Sequence, residues 1–192
     1  ETLTPRLIST FTGAFGQFVG RGPVIIGRDT RQSGAMVEQA VIAGLLSVGC
    51  QPVYAGILPT PSIQVLVKKM NAVGAVAVTA SHNPLPWNAM KLINEKGMFL
   101  NEIEARQVLD IYNQENIDHV LEDQLRTVEY VDNGFEIHEK KILNNIDLEV
   151  IRKSKFKVAV DCVNGAGAPY STDFLKNLGC EVFPLFTEAD GN

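Results

Sequence analysis

Val76-Ala77-Val78-Thr79-Ala80-Ser81-His82-Asn83-Pro84 runs without a break from small and β-branched apolar residues into a polar turn. A short apolar run bounded by turn residues reads as a buried strand. Loops at the ends of such strands are where a rigid scaffold most often presents chemistry. This turn offers a hydroxyl, an imidazole and an amide, and Pro84 fixes its exit. Ser81 is the group in it able to form a covalent bond to phosphorus or carbon with ordinary activation.

Working outward, Pro23-Val24-Ile25-Ile26-Gly27 reads as a central strand. Ser33 is expected to cap a helix over residues 34–48, with Val37, Ala40, Val41, Gly44, Leu45 and Val48 on its apolar face. Gly49 stands where a helix stops, and residues 52–55 resume a strand. Thr60 as cap and Pro61 in the first turn predict a helix to about Met70. Further strands are expected over 74–80 and 90–93, with a turn at Glu95-Lys96-Gly97. Asn101 and Glu104 resemble a capping box for a helix over 102–113. The polar stretch 114–132 reads as a connection, and 135–146 as another amphipathic helix. Strands alternating with helices predict an α/β fold, a three-layer α/β/α domain on a mostly parallel, mixed sheet. Its site belongs at the carboxyl ends of the strands, where the loops after Ile26 and Ala80 both lie.

The pattern then restarts. Residues 156–161 read as a strand, Asn164-Gly165-Ala166-Gly167 as a turn and residues 169–178 as a helix. Gly179-Cys180-Glu181-Val182 parallels Gly49-Cys50-Gln51-Pro52-Val53. Two copies of strand, turn, helix, Gly-Cys and strand suggest a duplicated βαβ unit, with chance similarity as the alternative. The expected organisation is one domain over 1–150 and the opening of a second, similar α/β domain over 155–192. The second unit is too short to bury a core of its own, so the chain reads as a piece of a longer protein.

Composition narrows the function. An apolar fraction of 45% with 20% charged residues is that of a soluble globular chain, and a net charge of −5 argues against nucleic-acid partners. No apolar stretch reaches the length of a membrane span, and no signal peptide opens the chain. Cys50, Cys162 and Cys180 have no metal-ligand spacing and read as small buried residues of a reducing compartment, which fits a cytoplasmic protein.

Three clusters bear on chemistry. Gly27-Arg28-Asp29-Thr30-Arg31 follows a strand directly, and two guanidinium groups there suit either anion binding or an Arg-Asp pair that fixes the loop. Ser81-His82-Asn83 reads as a serine nucleophile with a histidine base, as a phosphoryl-carrying serine, or as plain turn chemistry. Adjacent residues in an extended turn usually point apart, no third orienting group is evident, and no G-x-S-x-G elbow occurs. Lys91 begins an apolar strand ten residues beyond Ser81. Flanked by Met90 and Leu92, it is either partly desolvated and suited to proton transfer or a lysine snorkelling at a sheet end. Residues 164–167 are not a dinucleotide fingerprint, because Tyr170 stands where a third glycine belongs. His119 and His138 read as solvent-facing, and no metal-ligand spacing appears.

Taken together, Gly27-Arg28-Asp29-Thr30-Arg31 with Ser33-Gly34, Pro59-Thr60-Pro61, Thr79 to Pro84 and Asn88-Ala89-Met90-Lys91 resemble the α-D-phosphohexomutase superfamily, over nearly the whole chain. This superfamily comprises phosphoglucomutases, phosphomannomutases and phosphoglucosamine mutases. The resemblance implies an isomerase that moves phosphate between the 1- and 6-positions of a hexose phosphate. Ser81 would be the phosphoserine, a hexose 1,6-bisphosphate the intermediate and activator, and Mg²⁺ would bind a phosphate oxygen on Ser81, its other ligands lying outside these residues. His82, Asn83 and Arg31 would support the loop. Lys91 and Arg28 would stand near the reacting hydroxyl, Arg28 in an electrostatic role. Ala89 departs from a position that is often Gly in the family. Residues 87–89 and 94–97 look nearest to bacterial phosphoglucosamine or phosphomannose/phosphoglucose mutases. The chain by itself would hold the serine but bind Mg²⁺ weakly and turn over little. A non-catalytic sugar-phosphate-binding protein of the same fold is the alternative.

Overall fold

The computed structural model describes residues 3–191. Three parallel strands form its centre: β1 (Pro23–Arg28), β2 (Gln51–Ile57) and β3 (Gly74–Val78). The antiparallel β4 (Met90–Asn94) closes one edge and the two-residue β5 (Glu129–Tyr130) the other, in the order β4-β3-β1-β2-β5. Helices α1 (Pro5–Val19), α2 (Gly34–Ser47) and α4 (Glu102–Asn113) pack on one face. On the other lie α3 (Thr60–Lys69) and α5 (Gly134–Leu143). This is the expected three-layer α/β architecture on a mixed sheet.

Strand alternation divides the core. Val24, Ile26, Val76 and Val78 meet α1 and α2, whereas Ile25, Ala75 and Ala77 meet α3. All seven are fully buried, which is why these strands read as unbroken apolar runs. Cys50 lies in the first of these layers, and burial pushes its thiol up to about 11, which keeps it inert. Helices α1 and α2 approach closely at Gly44, where a β-carbon would collide with Thr12 Oγ1 and the Ser9 carbonyl.

Several expectations change in detail. Ser33 makes no capping bond to α2; its hydroxyl instead accepts from Asn88 Nδ2 at 2.9 Å. Thr60 is the first residue of α3 rather than its cap, a position held by Pro59. The connection after α4 contains β5, too short and polar to announce itself as a strand. The helix expected over 135–146 ends at Leu143, and Asp147 caps a separate helix, α6 (Leu148–Ser154). The box of Asn101 and Glu104 forms as expected.

The second unit comprises β6 (Lys157–Asp161), α7 (Ala168–Asn177) and β7 (Glu181–Leu185), with the two strands parallel. Its return turn repeats that of the first unit. Gly49 and Gly179 take φ of 78° and 87°, and each cysteine amide bonds back into its helix, to Leu45 and Leu175 carbonyls, at 3.1 Å. Phe183, Leu185 and Phe186 are exposed. Tyr170 of α7 joins the units, stacking on Phe135 of α5 at 4.4 Å and donating to the Ile57 carbonyl at 2.6 Å. Among the described residues no helix is long and apolar enough to cross a membrane.

His138 is not the solvent-facing residue expected. It is half-buried in α5, with Nδ1 2.9 Å from the hydroxyl of the fully buried Ser62. Burial, and then the charge of Lys141, lower its pKa from the ordinary histidine value. The unfolded chain therefore binds this proton more tightly, so the contribution of His138 is intact above its unfolded pKa of about 6.5 and declines as pH falls below it. Urea midpoints measured from pH 7.5 to 5 should fall less steeply in His138→Gln than in the parent; equal slopes would contradict this. Gly44→Ala should cost about 1–3 kcal/mol in urea denaturation, because the collision is with backbone that cannot rotate away.

Candidate active site

The chain leaves β1 toward β2 across one face and reaches β3 across the other, so the sheet's topological switch falls between β1 and β3. In open α/β sheets the crevice at this point is the usual ligand site. The loops leaving β1 (29–33) and β3 (79–89) both start here. Their bases are tied together by the Asp29 N–H, which donates to the Val78 carbonyl at 3.0 Å, and the longer loop is closed on itself by the Thr79 N–H, which donates to the Ala89 carbonyl at 2.9 Å.

Arg31 holds the longer loop. Its side chain is 9% exposed and every guanidinium N–H has a partner. Nε donates to Asp29 Oδ2 at 3.1 Å. Nη1 reaches the carbonyls of Pro84 at 2.8 Å and Trp87 at 3.0 Å. Nη2 reaches those of Asn83 at 2.6 Å and Ser81 at 3.1 Å. The planar five-donor fork suits this task in a way no lysine could. With all donors engaged, Arg31 is a loop clamp rather than a free anion ligand.

Ser81 sits exposed at the head of this loop with a left-handed backbone, φ 54°. That conformation is costly for a non-glycine residue and persists when its surroundings over-determine it. Here the carbonyl is held by Arg31 and the amide donates to Thr79 Oγ1 at 3.3 Å. The conformation turns the hydroxyl toward His82, whose Nδ1 lies 3.4 Å from Oγ, although the two residues are adjacent. No carboxylate orients His82 among the described residues, so a hydrolase triad is not formed. Asn83 folds its side-chain amide back onto the Ala80 carbonyl at 2.9 Å.

Neither Arg28 nor Lys91 bonds to Ser81 among the described residues. Arg28 pairs in register with Val78 and points toward α2, where Nε meets Glu38 Oε2 at 2.7 Å and Nη1 meets the Asp29 carbonyl at 3.0 Å. Lys91 pairs with Ala77 and so starts from the opposite face of the sheet. Its Nζ lies 6.0 Å from the ring centre of Phe99 and makes no ion pair among the described residues. The two cations therefore leave the sheet on different faces.

Glu38 and Tyr54 were not singled out from sequence. Tyr54 donates to the Glu38 carboxylate at 3.0 Å; burial, followed by this bond and the carboxylate's charge, raises the phenol's pKa. A signal did exist for Glu38, which lies on the buried face of α2 beside Val37 and Val41. A carboxylate on such a face requires a buried cation. Asn88, at the far end of the loop, is fixed by its bond to Ser33.

Fold and site together define a doubly wound α/β/α protein with an arginine-clamped serine loop at its switch point. The description "Phosphoglucomutase/phosphomannomutase, alpha/beta/alpha domain I" matches residues 1–118, and the corresponding domain II matches residues 136–192. The chain belongs to the phosphoglucomutase/phosphomannomutase family. It is 33% identical to a phosphoglucosamine/phosphogalactosamine mutase of Sulfurisphaera tokodaii over 96% of this chain and 41% of that protein. It is 35% identical to a phosphoglucomutase/phosphomannomutase of Thermococcus kodakarensis over 100% of this chain and 43% of that protein. The crystal structure of a phosphoglucomutase/phosphomannomutase family protein from Burkholderia thailandensis superposes with a TM-score of 0.83 at 26% identity, covering 100% of this chain and 42% of that one. The chain thus spans about two fifths of the length of the curated relatives it matches.

Replacing the clamp should free the loop without unfolding the sheet. Arg31→Lys should cost about 1–3 kcal/mol in chemical denaturation and speed amide exchange selectively over residues 81–89. Exchange that stays at the parent rate would show that the loop does not depend on this guanidinium.

Proposed function

We propose that this chain is the phosphoserine-bearing part of a phosphohexomutase, an isomerase that moves phosphate between the 1- and 6-positions of a hexose phosphate. One observation carries the reading: an exposed serine hydroxyl, held in a left-handed turn at the sheet's switch point by a fully engaged arginine. Family membership adds support, as do relatives named as mutases of glucosamine, glucose and mannose phosphates.

In this reading phosphorylated Ser81 gives its phosphoryl group to a free hydroxyl of a hexose monophosphate. The bond from phosphorus to Ser81 Oγ breaks, a bond from phosphorus to the sugar oxygen forms, and the sugar hydroxyl proton passes, in net, to Ser81 Oγ. The hexose 1,6-bisphosphate then turns over. Ser81 Oγ attacks its other phosphorus, the bond from that phosphorus to the sugar oxygen breaks, and the serine proton passes in net to that oxygen, regenerating the phosphoserine and releasing the isomeric monophosphate. Free bisphosphate primes a dephosphorylated enzyme by the same second step. Positioning and charge stabilisation are the protein's main contributions to such transfers.

Placement supports the following assignment of roles. Arg31 and Asn83 fix the loop backbone, and His82 lies near enough to Ser81 Oγ to steady its proton. Lys91, at the start of β4, supplies positive charge or a proton near the reacting hydroxyl. Arg28, bound to Glu38, is assigned to holding the loop rather than to the substrate. Mg²⁺ would neutralise phosphate charge, but the described loop does not form its site. Both Asp29 oxygens accept from Arg31, Glu38 accepts from Arg28 and Tyr54, and no group of three or more His, Cys, Asp or Glu side chains among the described residues could hold a metal. A phosphate oxygen on Ser81 is the one ligand this region would contribute.

Full-length protein incubated with glucose 1,6-bisphosphate or its mannose or glucosamine counterpart should gain one phosphate, located on Ser81 by peptide mass spectrometry. Ser81→Ala should take up none and lose mutase turnover. Phosphate on another residue would remove Ser81 as the carrier, and sugar-phosphate binding with no phosphorylation from any of the three would replace this reading with that of a binding protein.

A further inference from the structure

A continuous set of side-chain contacts runs from the middle of β2 to the serine loop. It begins at Tyr54, whose hydroxyl donates to Glu38 Oε2 at 3.0 Å. The same oxygen accepts from Arg28 Nε at 2.7 Å. Arg28 Nη1 then donates to the Asp29 carbonyl at 3.0 Å. Asp29 uses both carboxylate oxygens on Arg31, one for its backbone amide and one for Nε, each at 3.1 Å. Arg31 ends the series on the carbonyls of Ser81, Asn83, Pro84 and Trp87.

Two features distinguish this from an incidental ion pair. First, the side chains of Glu38 and Arg31 are each only 9% exposed, and those of Asp29 and Arg28 15% and 19%. Charges this dry are held by one another, and displacing one member leaves its neighbour unpaired in low dielectric. Second, room for the path is built into the backbone. Gly34 opens α2 directly beside Arg28, where a β-carbon would stand 3.1 Å from Arg28 Cδ. The absent side chain lets the arginine cross from the end of β1 to a carboxylate one turn into the helix.

We propose that Glu38 and Tyr54 are positioning residues for Ser81, setting the serine loop through Arg28, Asp29 and Arg31; their part in catalysis rests on Ser81 being the phosphoryl carrier. Glu38 fixes where the Arg28 fork sits, and Tyr54 fixes the carboxylate. Arg28 anchors the Asp29 backbone, and Asp29 orients the guanidinium that gathers four loop carbonyls. A bulk structural role would alter melting alone. A positioning role alters the motion of a loop that neither residue touches.

The loop carries its own reporter, since Trp87 is the only tryptophan of this chain and its carbonyl is bound to Arg31. Time-resolved anisotropy of its emission therefore reads loop motion without requiring turnover. Glu38→Gln and Arg28→Lys should each at least double the fast depolarising fraction at a temperature well below melting. The double variant should go no further than the stronger single one, because both break the same path. An unchanged fast fraction, or two effects that simply add, would overturn the proposal. Should neither variant fold, Tyr54→Phe carries the test: a raised fast fraction supports the relay, and an unchanged one rejects it. In full-length protein, phosphoryl uptake by Ser81 from a hexose 1,6-bisphosphate should slow at saturation at least tenfold in Glu38→Gln, with half-saturation within about twofold of the parent. A shift in half-saturation alone would reject positioning. A parent protein that takes up no phosphate would defeat the mutase reading, and the anisotropy would still decide the relay.

Discussion

Five N–H groups of one buried guanidinium, each matched to an oxygen, constrain everything else at the switch point. Four of those oxygens are main-chain carbonyls from a seven-residue span of the serine loop, and the fifth belongs to the loop on the neighbouring strand. A loop with its own sequence preferences would sample many conformers. Gathered on a rigid fork, it has one, and that one includes a serine in a backbone region serine ordinarily avoids. Arg31 is itself placed by the sheet, because the backbone link from Asp29 to Val78 sets the distance between the two loop bases.

Most of the fold was legible because it rests on local signals that tertiary contacts reinforce. Apolar runs at Val24–Ile26 and Ala75–Val78 lie where a parallel sheet is covered on both sides, so burial and sequence agree residue by residue. Helix stops at Gly49 and the box at Asn101 are decided within a few residues of themselves. The misses have the opposite character. β5 is a strand only because β2 offers it an edge, and Ser33 abandons its cap because Asn88 reaches it from 55 residues away. Such choices are made by partners distant in sequence and leave no periodic trace.

The site was legible in its residue types and less so in its geometry. Ser81, Asn83 and Arg31 are brought together as the motifs suggest. Arg28 and Lys91, which the resemblance places near one reacting hydroxyl, start from opposite faces of the sheet. Spacing along the chain gives proximity, whereas the face is decided by strand parity, and parity could have been counted. Glu38 shows the converse: one carboxylate in an otherwise apolar helical stripe is a request for a cation, and Arg28 answers it.

The clamp has an electrostatic corollary. In a trans peptide the amide hydrogen points away from the carbonyl oxygen, and the described backbone contains no cis bonds. Turning the carbonyls of Ser81, Pro84 and Trp87 inward onto Arg31 therefore swings the hydrogens of His82, Leu85 and Asn88 outward. The rim of the loop meets solvent with the positive ends of its peptide dipoles, and its lone pairs are sequestered beneath. A doubly charged group resting on Ser81 would face a surface whose polarity is already reversed in its favour.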